Sequence, residues 1–103
     1  MNDTTRPADV TVTDTTIIID NRTPEEYADG HVEGALNIDY NGGEVEQALP
    51  DLDPDARYLV YCRSGGRSGK AMELMQQAGI TSVVNLGGLE DAAAAVARPI
   101  VTD

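Results

Sequence analysis

The sequence contains no tryptophan and no phenylalanine; its aromatic side chains are four tyrosines. The core must therefore come from Ile, Val, Leu, Met and Ala, with the tyrosines expected at its edges. A single cysteine excludes an internal disulfide. One cysteine with one histidine also excludes an ordinary Cys/His zinc site. Basic residues are scarce: seven Lys and Arg stand against 18 Asp and Glu, a net charge of -11. Nucleic acids and anionic membrane surfaces both need a basic footprint, so both are disfavoured as partners. No apolar run approaches the length of a membrane span. Residues Met1 to Asp9 lack the apolar stretch of a signal peptide. A monomer with a well-solvated surface, in a reducing cytoplasmic compartment, fits these absences.

What is present suits one domain. The chain has 103 residues, 41% of them hydrophobic, enough for one core. Residues 1–9 are expected to be a flexible N-terminal segment and 10–103 the folded domain. Val10 and Val12 alternate with threonines and could make a short edge strand. Ile17-Ile18-Ile19-Asp20 is a run of β-branched residues that suits a strand buried on both faces. Thr23-Pro24-Glu25-Glu26 starts a helix: Thr23 caps, Pro24 takes the first turn, and Glu26 closes a capping box. Ala35 to Ile38 reads as a strand, and Glu44 to Leu49 as a short helix stopped by Pro50. Tyr58 to Tyr61 is a third strand running into Cys62. After a loop over Arg63 to Gly66, Ala71, Leu74, Met75 and Ala78 mark one helical face. Gly79 ends that helix in the left-handed conformation with Ile80 packing back. Ser82 to Leu86 is a fourth strand, Gly87-Gly88 a turn, and Leu89 to Ala97 a last helix.

Strands alternate with helices over connections too long for hairpins. This predicts an α/β domain: a mostly parallel sheet covered by helices on both faces, in three layers. Sites in such sheets lie at the carboxyl ends of the strands. Cys62 and Asp20 both stand at strand ends.

Three of the seven basic residues, Arg63, Arg67 and Lys70, fall within nine residues starting at Cys62. Strand, then Cys62-Arg63-Ser64-Gly65-Gly66-Arg67-Ser68, then helix, puts a thiol before the amides of a helix N-terminus. Glycines let successive N–H groups turn inward as an anion nest, and two arginines add charge. Each effect favours a thiolate. A lone cysteine is otherwise a small buried hydrophobe, and the flanking loop sets this one apart. A nucleotide-binding P-loop ending at Gly69-Lys70 fails, because Ser64 stands where it needs Gly and Ala71 where it needs Ser or Thr. A cysteine phosphatase places five residues between Cys and Arg. Here that position is Ser68, and Arg67 comes one residue early, a tighter cradle than a phosphate ester needs.

The segments Ile19 to Tyr27, Gly30-His31-Val32-Glu33-Gly34-Ala35, Val60 to Ser68 and Asn85-Leu86-Gly87-Gly88 together resemble the rhodanese homology domain in order and spacing. The resemblance implies a five-stranded, mostly parallel sheet and sulfurtransferase chemistry that needs no cofactor or metal. On it, Cys62 is the catalytic thiolate that takes a sulfur from thiosulfate or a similar small anionic donor as a persulfide. Arg63, Ser64, Gly65, Gly66, Arg67 and Ser68 bind the substrate. A thiol, cyanide or a sulfur-accepting protein then removes the sulfur. The alternative is a sulfur-carrier or interaction module loaded by a partner protein. Two departures bear on packing: the stretch before Ile17 is short for the usual preceding helix, and Ala92 stands where many members carry Trp. Asp20 and Arg22 are expected to be structural near the site, with an ion pair such as Arg22 to Glu26 fixing the strand–helix turn. His31 is expected to be structural in its turn, Met72 and Met75 core, and Lys70 either an added positive charge at the loop or a solvated surface lysine.

Overall fold

The computed structural model describes residues 12–102. In chain order the elements are β1 (Ile17–Asp20), α1 (Pro24–Asp29), β2 (His31–Val32), β3 (Leu36–Asn37), α2 (Glu44–Ala48), β4 (Tyr58–Tyr61), α3 (Gly66–Gln77), β5 (Val83–Asn85), α4 (Leu89–Val96) and β6 (Ile100–Val101). The central sheet has the order β3-β1-β4-β5, and every pairing in it is parallel. The resemblance implies five strands, but among the described residues this sheet has four. The other two, β2 and β6, pair antiparallel with each other. Of the expected edge strand, Val10 lies outside the described residues, as does the 1–9 segment, and Val12 has no strand pairing. No helix among the described residues is long and apolar enough to cross a membrane.

The two-residue period of a strand divides the core. Ile18, Leu59 and Tyr61 face one cluster with Ala92, Ala95 and Val96 of α4. Ile19, Tyr58 and Val60 face the other, with Met75 of α3 and Ile80. Ala92, at the position expected to carry Trp, is fully buried in the first cluster. The expectation of tyrosines at the edges fails for two of the four: Tyr58 and Tyr61 are fully buried on β4. Their hydroxyls are satisfied, which lets the rings go inside. Tyr58 donates to the Asp53 carbonyl (3.0 Å), and Tyr61 accepts the Val32 N–H (3.0 Å).

Helix starts and stops follow the residues. Thr23 caps α1, and the Thr23–Glu26 capping box forms in both directions. Gly79, at φ 99°, ends α3, and the Ile80 N–H returns to the Met75 carbonyl at 3.0 Å. Pro50 does not stop the chain's turning: α2 passes into a 3-10 turn over Leu49–Asp51. Proline at the first turn of such a segment loses no bond. The buried face of α3 is Ser68, Ala71 and Met75, with Met72 packed partly alongside. Leu74 is half-buried and Ala78 exposed, so the true stripe is rotated from the one read by hydrophobicity alone. It begins with a polar residue because the first turn of α3 reaches the sulfur.

Candidate active site

Cys62 follows β4 directly, and α3 begins at Gly66, so Arg63, Ser64 and Gly65 make the whole connection. Gly65 sits at φ 98°, a left-handed conformation that costs glycine nothing. That turn aims the Gly65 N–H at the Cys62 sulfur, at 3.0 Å. Ser68, fully buried one turn into α3, places its hydroxyl 3.4 Å from the same sulfur. The hydroxyl lies closer, 2.7 Å, to Oδ1 of Asn85, and its single proton serves one of them at a time.

Burial pushes the Cys62 thiol up. Hydrogen bonds from the Ser68 hydroxyl and from the N–H groups of Ser68, Ser64 and Gly65 outweigh it, and the thiol lies below its ordinary value. The nest of amides thus does what the glycine-containing loop implied. Fixed N–H groups held by the backbone need no reorganisation to meet a negative sulfur. The sign follows: a lowered pKa keeps the thiolate present at lower pH. Alkylation of Cys62 by iodoacetamide should therefore stay fast below the pH where an ordinary thiol, ~8.5, loses reactivity. Rate against pH should inflect below that value; an inflection at or above it would contradict the nest.

The arginines stand differently from one another. Arg63 is four-fifths exposed at the loop's edge. Arg67 is turned to Glu26 of α1, with Nη1 to Oε1 at 2.8 Å and Nη2 to Oε2 at 3.2 Å. Arg63 Nη1 is also 3.8 Å from Oε2 of Glu26. The hydrogen bond from Arg67 is the main reason that the Glu26 carboxyl titrates down at about 2. Lys70 is exposed.

Asp20 and Arg22 form a buried pair, with Arg22 Nη2 to Asp20 Oδ2 at 2.8 Å and Arg22 Nε to both carboxylate oxygens. Arg22 thus pairs with Asp20 and not, as the turn suggested, with Glu26. The reason is local: the Asp20 carboxylate also accepts the Arg22 backbone N–H at 2.8 Å, so both groups meet two residues apart. Removing one partner of such a buried pair typically costs several kcal/mol, about 3–5, because the other charge is stranded. His31 is buried, with Nδ1 2.8 Å from the Tyr27 carbonyl and its ring stacked on Tyr27 at 3.7 Å. These contacts hold the turn into β2.

Two residues carried no role at the sulfur loop in the sequence reading. Asn85, last of β5, accepts the Gly87 N–H (3.0 Å) and donates to the Gly65 carbonyl (3.0 Å), tying the Gly-Gly turn to the sulfur loop. Its place at a strand's carboxyl end was a signal for it. Glu26 had no such signal, since 41 residues separate it from Arg67. The backbone adds one more tie: the Cys62 N–H bonds to the Gly87 carbonyl at 2.9 Å. On the Arg63 side of the loop lies an open cleft of about 340 Å³, lined by Arg22, Arg63, Gly88, Leu89, Glu90 and Asp91.

A cysteine sulfur cradled by a strand–loop–helix turn, at the carboxyl end of a parallel sheet, defines a cysteine-centred α/β domain. The chain matches the Rhodanese-like domain family over residues 8–95 and belongs to it. It is 43% identical over 77 residues to the thiosulfate sulfurtransferase PspE of Escherichia coli (strain K12), covering 73% of this chain and 72% of that one. It is 36% identical over 80 residues to the chloroplastic thiosulfate sulfurtransferase 16 of Arabidopsis thaliana, covering 68% and 67%. A solved rhodanese with anions from E. coli superposes with a TM-score of 0.73 at 38% identity, over 85% of this chain and 99% of that one. The family assignment and the three-layer α/β fold thus agree with the sequence.

Proposed function

We propose that the protein moves sulfane sulfur from thiosulfate, or a similar small anionic donor, to a thiophilic acceptor through a persulfide on Cys62. The observation that carries this reading is the Cys62 sulfur facing the Gly65 N–H at 3.0 Å, in a loop whose hydrogen bonds favour its ionised form. In the first half-reaction the thiolate attacks the outer sulfur of thiosulfate. The new bond joins Sγ to that sulfur. The old sulfur–sulfur bond breaks, and sulfite leaves with its electron pair. In the second, cyanide or a thiolate attacks the terminal sulfur, and Sγ departs as the thiolate. The N–H groups of Ser64, Gly65 and Ser68 hold negative charge on sulfur before and after each step.

The shape of the site supports a slender donor. Cys62 is only 1% exposed beneath its loop, so a terminal sulfur reaches it more readily than a bulky group. At Gly66 an added Cβ would meet nothing within 4 Å, so protein packing does not require glycine there and space remains for a ligand. Only three residues separate Cys62 from α3, which keeps the cradle tight and disfavours a phosphate ester. The relatives named thiosulfate sulfurtransferases favour thiosulfate as donor. A reducing, cytoplasmic setting suits a lone reactive thiol.

Intact-mass measurement tests the reading. Thiosulfate should add one sulfur atom to the protein, and cyanide should then remove it. A protein that stays unmodified with thiosulfate, yet gains sulfur from a persulfide-bearing partner protein, would replace the enzyme reading with the carrier module.

A further inference from the structure

The two arginines of the sulfur loop share one counter-charge, and it comes from outside the loop. Glu26 binds Arg67 through both oxygens, at 2.8 and 3.2 Å, and reaches Arg63 at 3.8 Å. The same Oε1 accepts the Thr23 N–H at 3.1 Å, closing the capping box of α1. A capping-box acid needs no cation, and Arg63, four-fifths exposed, needs no acid. Their meeting means that the positive potential at the loop is partly cancelled before any anion arrives.

We propose that Glu26 is a specificity-determining positioning residue: by holding Arg67 and Arg63, it restrains the loop's attraction for anions and sets how strongly donors are sorted by charge. Freed of Glu26, the guanidinium groups would turn their full charge toward the loop mouth. A dianionic donor would then gain more than a monoanionic one, since the attraction scales with charge. The Cys62 thiolate would gain too, because it lies within electrostatic reach of Arg67. The other charges acting on this pair are Asp39, after β3, which is buried and attracts Arg67, and Arg22, before α1, which attracts Glu26. Neither occupies both arginines as Glu26 does. This inference rests on the sulfurtransferase reading for its donor arm only.

Glu26→Gln separates the charge from the cap, because glutamine can still close a capping box. In the variant, KM for thiosulfate at low salt should fall about threefold, and KM for a monoanionic thiosulfonate should change less. Added salt should erase the difference from wild type. The pH at which Cys62 alkylation inflects should also fall, a readout that needs no sulfur donor. Thr23→Ala weakens the cap but leaves the carboxylate, and it should move neither KM nor the inflection. Unchanged or raised KM with an unchanged inflection in Glu26→Gln would overturn the proposal, as would the same shifts in Thr23→Ala. If the wild type accepts no sulfur from thiosulfate, the sulfurtransferase reading fails while the alkylation arm still judges Glu26.

Discussion

Cys62→Ser will take up no sulfur from thiosulfate and will keep its fold. Catalysis fails because a serine hydroxyl is not ionised near neutral pH, and sulfur transfer starts from a thiolate. No other cysteine in the chain can receive the sulfur. Loss should be complete within detection, a fall of at least roughly a thousandfold in rate. Stability should change little, within about 1 kcal/mol, because the replacement is small and polar where donors already wait. The Gly65 N–H and Ser68 hydroxyl that face the sulfur can satisfy an oxygen in its place. Intact mass after thiosulfate, with a thermal melt on the same preparation, checks both halves. Sulfur gained by the serine variant would move the site elsewhere.

Gly88→Ala should damage the site without touching any residue that meets sulfur. A Cβ at Gly88 would lie 2.6 Å from the Arg63 carbonyl oxygen and 3.4 Å from its carbon. Both atoms are backbone, so no side chain can swing away. The conformation of Gly88, φ -91° and ψ 176°, is open to alanine, so the cost comes from the contact alone. Either α4 retreats or the peptide that carries the Arg63 carbonyl shifts, and the N–H of that same peptide is Ser64's, which faces the Cys62 sulfur. Overpacking of this kind costs about 1–3 kcal/mol. Because misplacement by about 1 Å can lower a rate a hundredfold, sulfur loading should slow at least tenfold. Gly66→Ala is the contrast for stability: its Cβ meets nothing within 4 Å, so its melting temperature should hold. A Gly88→Ala protein that loads sulfur at the wild-type rate would show that the turn after β5 does not set the loop's geometry.

Much of the site was legible because it is local. The cysteine, its glycines and the start of α3 lie within seven consecutive residues, and strand–loop–helix geometry follows from their order alone. The Thr23–Glu26 box was legible for the same reason, as was the left-handed Gly79. What escaped was every contact between distant segments. Arg67 read as a free cation for an incoming anion, and the fold hands it to Glu26. Arg22 read as a partner for Glu26, and the shorter path to Asp20 wins. The tyrosines read as edge residues because a hydroxyl resists burial. Tyr61 goes inside because Val32, 29 residues earlier in the chain, offers its N–H.

The sequence by itself determined the kind of protein: a small α/β domain, acidic overall, with one thiol placed before a helix by a short glycine-containing loop. Periodicity, capping residues and φ preferences act within a few residues, so composition and order suffice for them. Only the tertiary structure decided how the loop is held and how much charge it shows. Asn85 ties it to the turn after β5, Gly88 backs it, and Glu26 takes its arginines. Such ties depend on which strand ends the sheet brings side by side. In a parallel sheet those ends belong to segments far apart in the chain, so no local pattern records them.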